Sequence, residues 1–142
     1  MTTKEWLSRG KWVEKEIHAL EQAQEEALTI ATRATAGTNG ESVDGTRDNS
    51  SERAMVAYAD KTAEYAELID NKIRELVSIK LEITRAIAHV EEDRLRLILQ
   101  YRYVNLMRWE RIAEEMHYSY SQLKRLHKRA LNIMDYYEPL HQ

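Results

Sequence analysis

Between His117 and Met134 the chain carries four basic residues, Lys124, Arg125, Lys128 and Arg129, and no Asp or Glu. Tyr120, Ser121 and Gln122 stand just ahead of them. Gln and Arg each hold two hydrogen-bonding groups in a fixed fork. That geometry pairs bidentately with the major-groove edges of adenine and guanine. Lys and Arg further along suit phosphate oxygens, which carry affinity but little sequence information. The chemistry these types support is recognition of double-stranded DNA. Tyr120, Ser121, Gln122, Lys124 and Arg125 are the candidate base readers. Arg108, Arg111, Tyr118, Lys128 and Arg129 are the candidate phosphate contacts.

Two helices must position these side chains. Ile112, Ala113 and Met116 give Trp109–Met116 one apolar face at helical spacing, and Leu123, Leu126, Ala130 and Ile133 do the same for the following stretch. Ser119 with Gln122 three residues on is a capping box, which predicts a helix start there. His117 and Tyr118 make the turn, and the small Ala113 suits a close crossing. A helix polar and basic outside and apolar inside fits a recognition helix in a DNA groove. Spacing alone fits an ordinary helical hairpin equally well.

Residues Arg94 to Leu131 resemble the fourth region of bacterial sigma factors. They do so through RLILQYRYVN, WERIAEEM and YSYSQLKRLHKRAL. The whole chain resembles phage and prophage regulators of the ArpU/RinA type. The matching residues are Leu99, Arg102, Tyr103, Trp109, Glu110, Ile112, Ala113, Met116, Tyr118, Ser119, Leu123, Arg125, His127, Arg129, Ala130 and Leu131. The resemblance is specific over 91–134 and rests on layout upstream. His117 departs from it, since many such motifs place Gly in the turn. The resemblance implies a three-helix DNA-binding domain behind a long helical N-terminal part. It also implies activation of late phage genes for packaging and lysis, with host RNA polymerase as a partner.

Upstream, Lys4–Thr35 reads as one long helix, with Trp6, Val13, Leu20, Ala27 and Ala34 at heptad spacing. Gln24 breaks the seam, and Gly10 weakens the helix interior. Residues 36–52 hold three of the four glycines and read as a mobile connector. Arg53–Val90 reads as a second long helix, long enough to fold back antiparallel on the first. Its seam is Ile69, Ile73, Leu76, Ile83, Ile87 and Val90. Leu68, Val77, Ile79 and Leu81 lie off that seam, and a helix apolar on more than one side is buried on more than one side. Leu68, Ile69, Ile73, Leu76, Val77, Ile79 and Ile83 are therefore assigned to the hairpin and to a homodimer contact. Glu91, Glu92 and Asp93 mark a joint. Residues 1–90 are expected to form the oligomerisation or partner-contact part and 91–142 the DNA-binding domain. Leu95 to Tyr103 should form an apolar helix beneath the motif, ending near Asn105. Trp109 should anchor the core, and Pro139 should end the last helix.

The expected fold is all-α. The net charge of −3 is unevenly spread. Residues 1–90 hold 12 Lys/Arg against 16 Asp/Glu, and residues 91–142 hold 9 against 8. A local basic patch can bind phosphate on an acidic chain. There is no cysteine, which excludes disulfide and thiol chemistry. No apolar run has the length of a membrane helix, and the N-terminus lacks a signal-peptide run. The expectation is a cytoplasmic protein of a bacterial host cell, encoded by a phage or prophage. The five histidines share no metal-ligand spacing, and no Ser/His/Asp signature is present. Neither enzyme activity, nor a cofactor, nor a metal is expected. Two other functions fit the same layout: a small terminase-like packaging subunit, and a helical adaptor or inhibitor that does not bind DNA.

Overall fold

The computed structural model describes residues 1–36 and 47–137. Among them every regular element is helical. The order is α1 (Thr3–Leu7), α2 (Arg9–Ala36), α3 (Arg47–Ile87), α4 (Asp93–Leu99), a π-helical segment (Gln100–Val104), α5 (Trp109–Met116) and α6 (Tyr120–Met134).

The expected single N-terminal helix is two helices. Thr2 and Glu5 close a capping box at the start of α1. The Ser8 hydroxyl then donates to the Lys4 carbonyl at 2.6 Å, and the Ser8 backbone N–H donates to the same oxygen at 2.9 Å. Ser8 is the C-cap of α1, with φ −80° and ψ 0°, and the helix restarts at Arg9. At the connector, residues 37–46 lie outside the described residues. Residues 47–52 are helical rather than loop, so α3 starts earlier than expected. Arg47–Glu52 contains no Gly or Pro, and nothing in it stops the helix from extending back.

The chain divides into two compact units, Lys15–Arg74 and Met1–Glu14 together with Glu75–Gln142. The division does not fall at residue 90, where the hairpin was expected to end. Within the Lys15–Arg74 unit, α2 and α3 run antiparallel. Lys72 pairs with Glu16 at 2.7 Å, and the Gln24 amide donates to the Thr62 carbonyl at 3.3 Å. The residue that breaks the apolar seam of α2 thus bonds to its partner helix. On the part of α3 in this unit the half-buried positions are Tyr58, Thr62, Tyr65, Ile69 and Lys72, at alternating spacings of four and three. Lys72 takes the seam position expected for Ile73, which is 44% exposed. A lysine stem packs along apolar surface while its ammonium meets Glu16, so it can stand in a seam.

The other unit holds two adjoining apolar clusters. The first joins Leu7 with Ile83, Ala86, Ile87, Val90, Leu95, Leu99, Tyr103, Ala130 and Met134. The second joins Ile98, Ile112 and Leu123, with Tyr101, Met107, Trp109, Ala113 and Met116 packed around them. Leu126 touches both. Ile83, expected on the hairpin and dimer surface, is fully buried in the first cluster. Burial inside one chain removes it from any contact between copies. Ile133, expected on the inner face of α6, is 43% exposed, and Met134 takes its place. Fifteen residues of helix drift enough that a spacing of three, four and four follows the core better than three, four and three.

The break after α3 falls over 88–92. There the Arg96 guanidinium donates to the carbonyls of Val90 at 2.8 Å and Glu91 at 3.2 Å, satisfying two backbone acceptors of the connection itself. The helix expected to reach Asn105 changes character at Gln100. The Asn105 N–H donates to the Gln100 carbonyl at 3.0 Å, the π-helical register. Tyr101 packs against the second cluster and Tyr103 lies in the first. Leu106 follows with φ 55°, a left-handed backbone that turns the chain into α5. The last helix ends at Met134, before Pro139, which lies outside the described residues.

Candidate nucleic-acid interface

The turn between α5 and α6 is built from three backbone features. His117 takes the left-handed conformation at φ 57° and ψ 43°. The Tyr118 N–H donates to the Ala113 carbonyl at 3.0 Å and closes the end of α5. Ser119 then caps α6. Its hydroxyl accepts the Gln122 N–H at 3.2 Å, and the Gln122 amide oxygen accepts the Ser119 N–H at 3.0 Å. Ile112 and Leu123 face each other across the second cluster. The apolar contact fixes the two helices, and the cap fixes where the second begins.

This frame leaves the outer face of α6 in solvent. Tyr120, Ser121, Gln122, Lys124, Arg125, Lys128 and Arg129 are all exposed. Arg108 and Arg111, at the start of α5, are exposed as well, and Tyr118 is half-buried. All ten candidate residues thus lie on α5, α6 or their immediate flanks. Gln122 has a second role: its amide oxygen is held in the cap, so its amide nitrogen remains as the group to offer outward.

Two residues outside the expected set join the face, and a third lies behind it. Glu92, before α4, meets Arg94 at 2.8 Å and Arg129 at 3.4 Å through its two carboxylate oxygens. A hydrogen bond to the Tyr118 hydroxyl, then the one to Glu92, holds the Arg94 guanidinium above its ordinary pKa. Arg94 and Arg129 are therefore drawn to one carboxylate at the edge of the basic face. Nothing in the spacing of residues 92, 94, 118 and 129 indicates this meeting, since they are joined only by packing of α4 on α6.

The third is His127, on the inner side of α6. The Tyr103 hydroxyl and its Nε2 share a hydrogen bond of 2.6 Å, and the Trp109 ring meets it edge-on at 4.5 Å between centroids. Burial, then the charges of Lys4 and Arg102, push the His127 pKa down to about 4. Burial pushes Tyr103 up to about 12. Both shifts favour the neutral pair. Arg102 lies over the Trp109 ring at 4.7 Å and donates to the Met107 carbonyl at 3.0 Å. Trp109, expected as a core anchor, is half-buried against the second cluster and carries these polar neighbours.

Among the described residues, no group of three or more His, Asp or Glu is placed to hold a metal ion. No helix among them is long and apolar enough to cross a membrane. Residues 41–135 match the model of a family described as Protein of unknown function (DUF1492), a match that covers about two thirds of the chain. No curated protein and no solved structure matches.

Proposed function

The chain belongs to the DUF1492 family, and from that premise we propose that it is a sequence-specific DNA-binding transcriptional regulator that reads its operator with α6. The observation that carries this reading is the exposed face of α6. Seven polar or basic side chains stand there on a capped helix, behind a tight left-handed turn, with no acid on the helix itself. The first turns of such a helix meet base edges in the major groove, and the later residues meet phosphate. The resemblance to sigma region 4 and to ArpU/RinA-type regulators supports a phage or prophage role at late packaging and lysis genes, with host RNA polymerase as partner. Leu68, Ile73 and Val77 are 51%, 44% and 61% exposed on α3. They support a homodimer through that helix.

The test is affinity for operator and random duplexes across a salt series. Arg125→Ala should flatten the preference for the operator, since a bidentate base contact is worth about 1–3 kcal/mol of discrimination. Lys128→Ala should weaken both duplexes alike and lower the salt slope by about one unit. An unchanged specificity ratio in the Arg125 variant would remove α6 as the reader. If neither duplex binds in a salt-dependent way, the chain is a protein-binding adaptor instead.

A further inference from the structure

Gln122, Arg125 and Arg129 follow one another at spacings of three and four, so they share one side of α6. The start of α4 extends that side. Arg129 reaches Glu92 at 3.4 Å, Glu92 meets Arg94 at 2.8 Å, and Arg94 donates to the Tyr118 hydroxyl. These four side chains form one continuous run along the edge of the face, from the turn before α6 to the middle of that helix. We propose that the run binds the backbone phosphates of one DNA strand, with Arg94 as a phosphate contact and the Glu92 carboxylate holding, in the free protein, the place a phosphate takes in the complex. The proposal rests on α6 reading DNA.

The match between carboxylate and phosphodiester is one of charge and of shape. Glu92 spends one oxygen on each guanidinium, Oε1 on Arg94 and Oε2 on Arg129. A phosphodiester likewise carries one negative charge over two free oxygens, and a guanidinium bonds either group with the same charge-assisted geometry. Two guanidiniums on one carboxylate leave the run with a positive charge in excess. The neighbouring Asp93 does not cancel it, since its carboxylate pairs with Arg96. The side chains of Arg94 and Arg129 are 55% and 60% exposed. Ion pairs this exposed add little to stability, so the fold gains little from gathering both arginines on one acid. The same exposure lets a phosphate displace the carboxylate at small cost.

The placement suits a groove wall. Tyr118 is half-buried and holds Arg94 beside the turn, so its planar fork is oriented before DNA arrives. A strand whose phosphates follow Tyr118, Arg94 and Arg129 brings its bases against Gln122 and Arg125 on the same side of α6. Lys128 follows Arg129's side at one position's remove, turned about 100° around the helix axis. It faces the opposite wall of the groove. The two strands are therefore met by different residues, and α4 supplies one of the two walls.

The full chain is titrated with a random-sequence duplex across a salt series, since phosphate contacts need no operator. Arg94→Ala should weaken binding by about five- to tenfold near 0.1 M salt and lower the salt slope by about one unit. Arg94→Lys, which keeps the charge, should keep the slope. Arg74→Ala, an exposed arginine in the other compact unit, should change neither. Circular dichroism verifies that each variant folds, and Arg94→Gln replaces the alanine variant if that one does not. Displacement of Glu92 has its own signature: Arg94→Ala should cost more affinity in a Glu92→Gln background than in the parent, because there the guanidinium is no longer shared. Equal costs in the two backgrounds would overturn the proposal. So would an Arg94→Ala variant with parental affinity and slope beside a Lys128→Ala variant that loses both, a result that leaves α6 as the reader. A parent chain without salt-dependent affinity for duplex would overturn the reading of α6 and this site together.

Discussion

Gly10 is buried in the first turns of α2, where glycine weakens a helix. A methyl group added there meets the Leu76 Cδ1 at 3.7 Å and the Tyr103 carbonyl oxygen at 3.8 Å, ordinary contact distances. Gly10→Ala should therefore stabilise the protein by about 0.5–1 kcal/mol through helix propensity. Urea denaturation reads this as a higher midpoint with an unchanged slope, and a lower midpoint would show that the close approach tolerates no methyl. His127 makes a prediction of opposite kind. Its folded pKa of about 4 lies below the ordinary histidine value of 6.5. Protonation therefore favours the unfolded chain. The stability it contributes is fully present above pH 6.5 and is lost as pH falls toward 4, by an amount of order a few kcal/mol. Carboxylates titrate near the lower end of that window, so the comparison is with His127→Gln, which removes the imidazole charge. Unfolding free energy should fall less steeply from pH 6.5 to 5 in the variant. Parallel curves would mean that His127 is solvated well enough to protonate in place.

At the scale of elements, α6 is held by its cap, its apolar stripe and α4. Ile112, Ala113 and Leu123, together with the box made by Ser119 and Gln122, are all legible at helical spacing in the sequence. The contact of Glu92 with Arg129 is not, because it crosses from the start of α4 to the far end of the basic face. Its consequence for binding is direct. A carboxylate that holds Arg129 competes with phosphate for the same guanidinium, and its own charge repels the DNA backbone. Glu92→Gln should tighten binding to operator and random duplexes alike, with a salt slope steeper by about one unit. The specificity ratio should stay the same, since phosphate contacts carry little sequence information. Weaker binding in this variant would show that Glu92 instead positions Arg94 and Tyr118 for the contact.

At the scale of the whole molecule, the two compact units bear on how assembly is tested. Cutting the chain at residue 90 would strip Ile83, Ile87 and Val90 of their partners on α4 and α6 and expose them. A fragment ending there would associate through that surface and mimic a dimer. The full chain is the right object, with substitutions on α3. Val77→Glu and Ile73→Glu change side chains that are already exposed, so the fold should persist. If α3 forms the dimer, light scattering should give twice the monomer mass for the parent and the monomer mass for the double variant. A parent that remains monomeric at high micromolar concentration would rule out the dimer.

The all-α class, the two helices of the candidate interface and the ten residues on it were readable from the sequence, because helical spacing and capping are local rules. A side chain three or four positions from another shares its face whatever the rest of the chain does. The same rules misplaced a single seam position of α3, Ile73 for Lys72. Lys72 counts as polar in any pattern, yet its stem fills the seam once Glu16 is opposite. They also could not show that Leu7, Ile83, Leu95 and Met134 share one core, or that the depressed His127 and the Glu92 bridge exist. Each of those is a meeting of residues from separate helices. Burial and ion pairing depend on distances through space, and those distances are decided only when the helices pack.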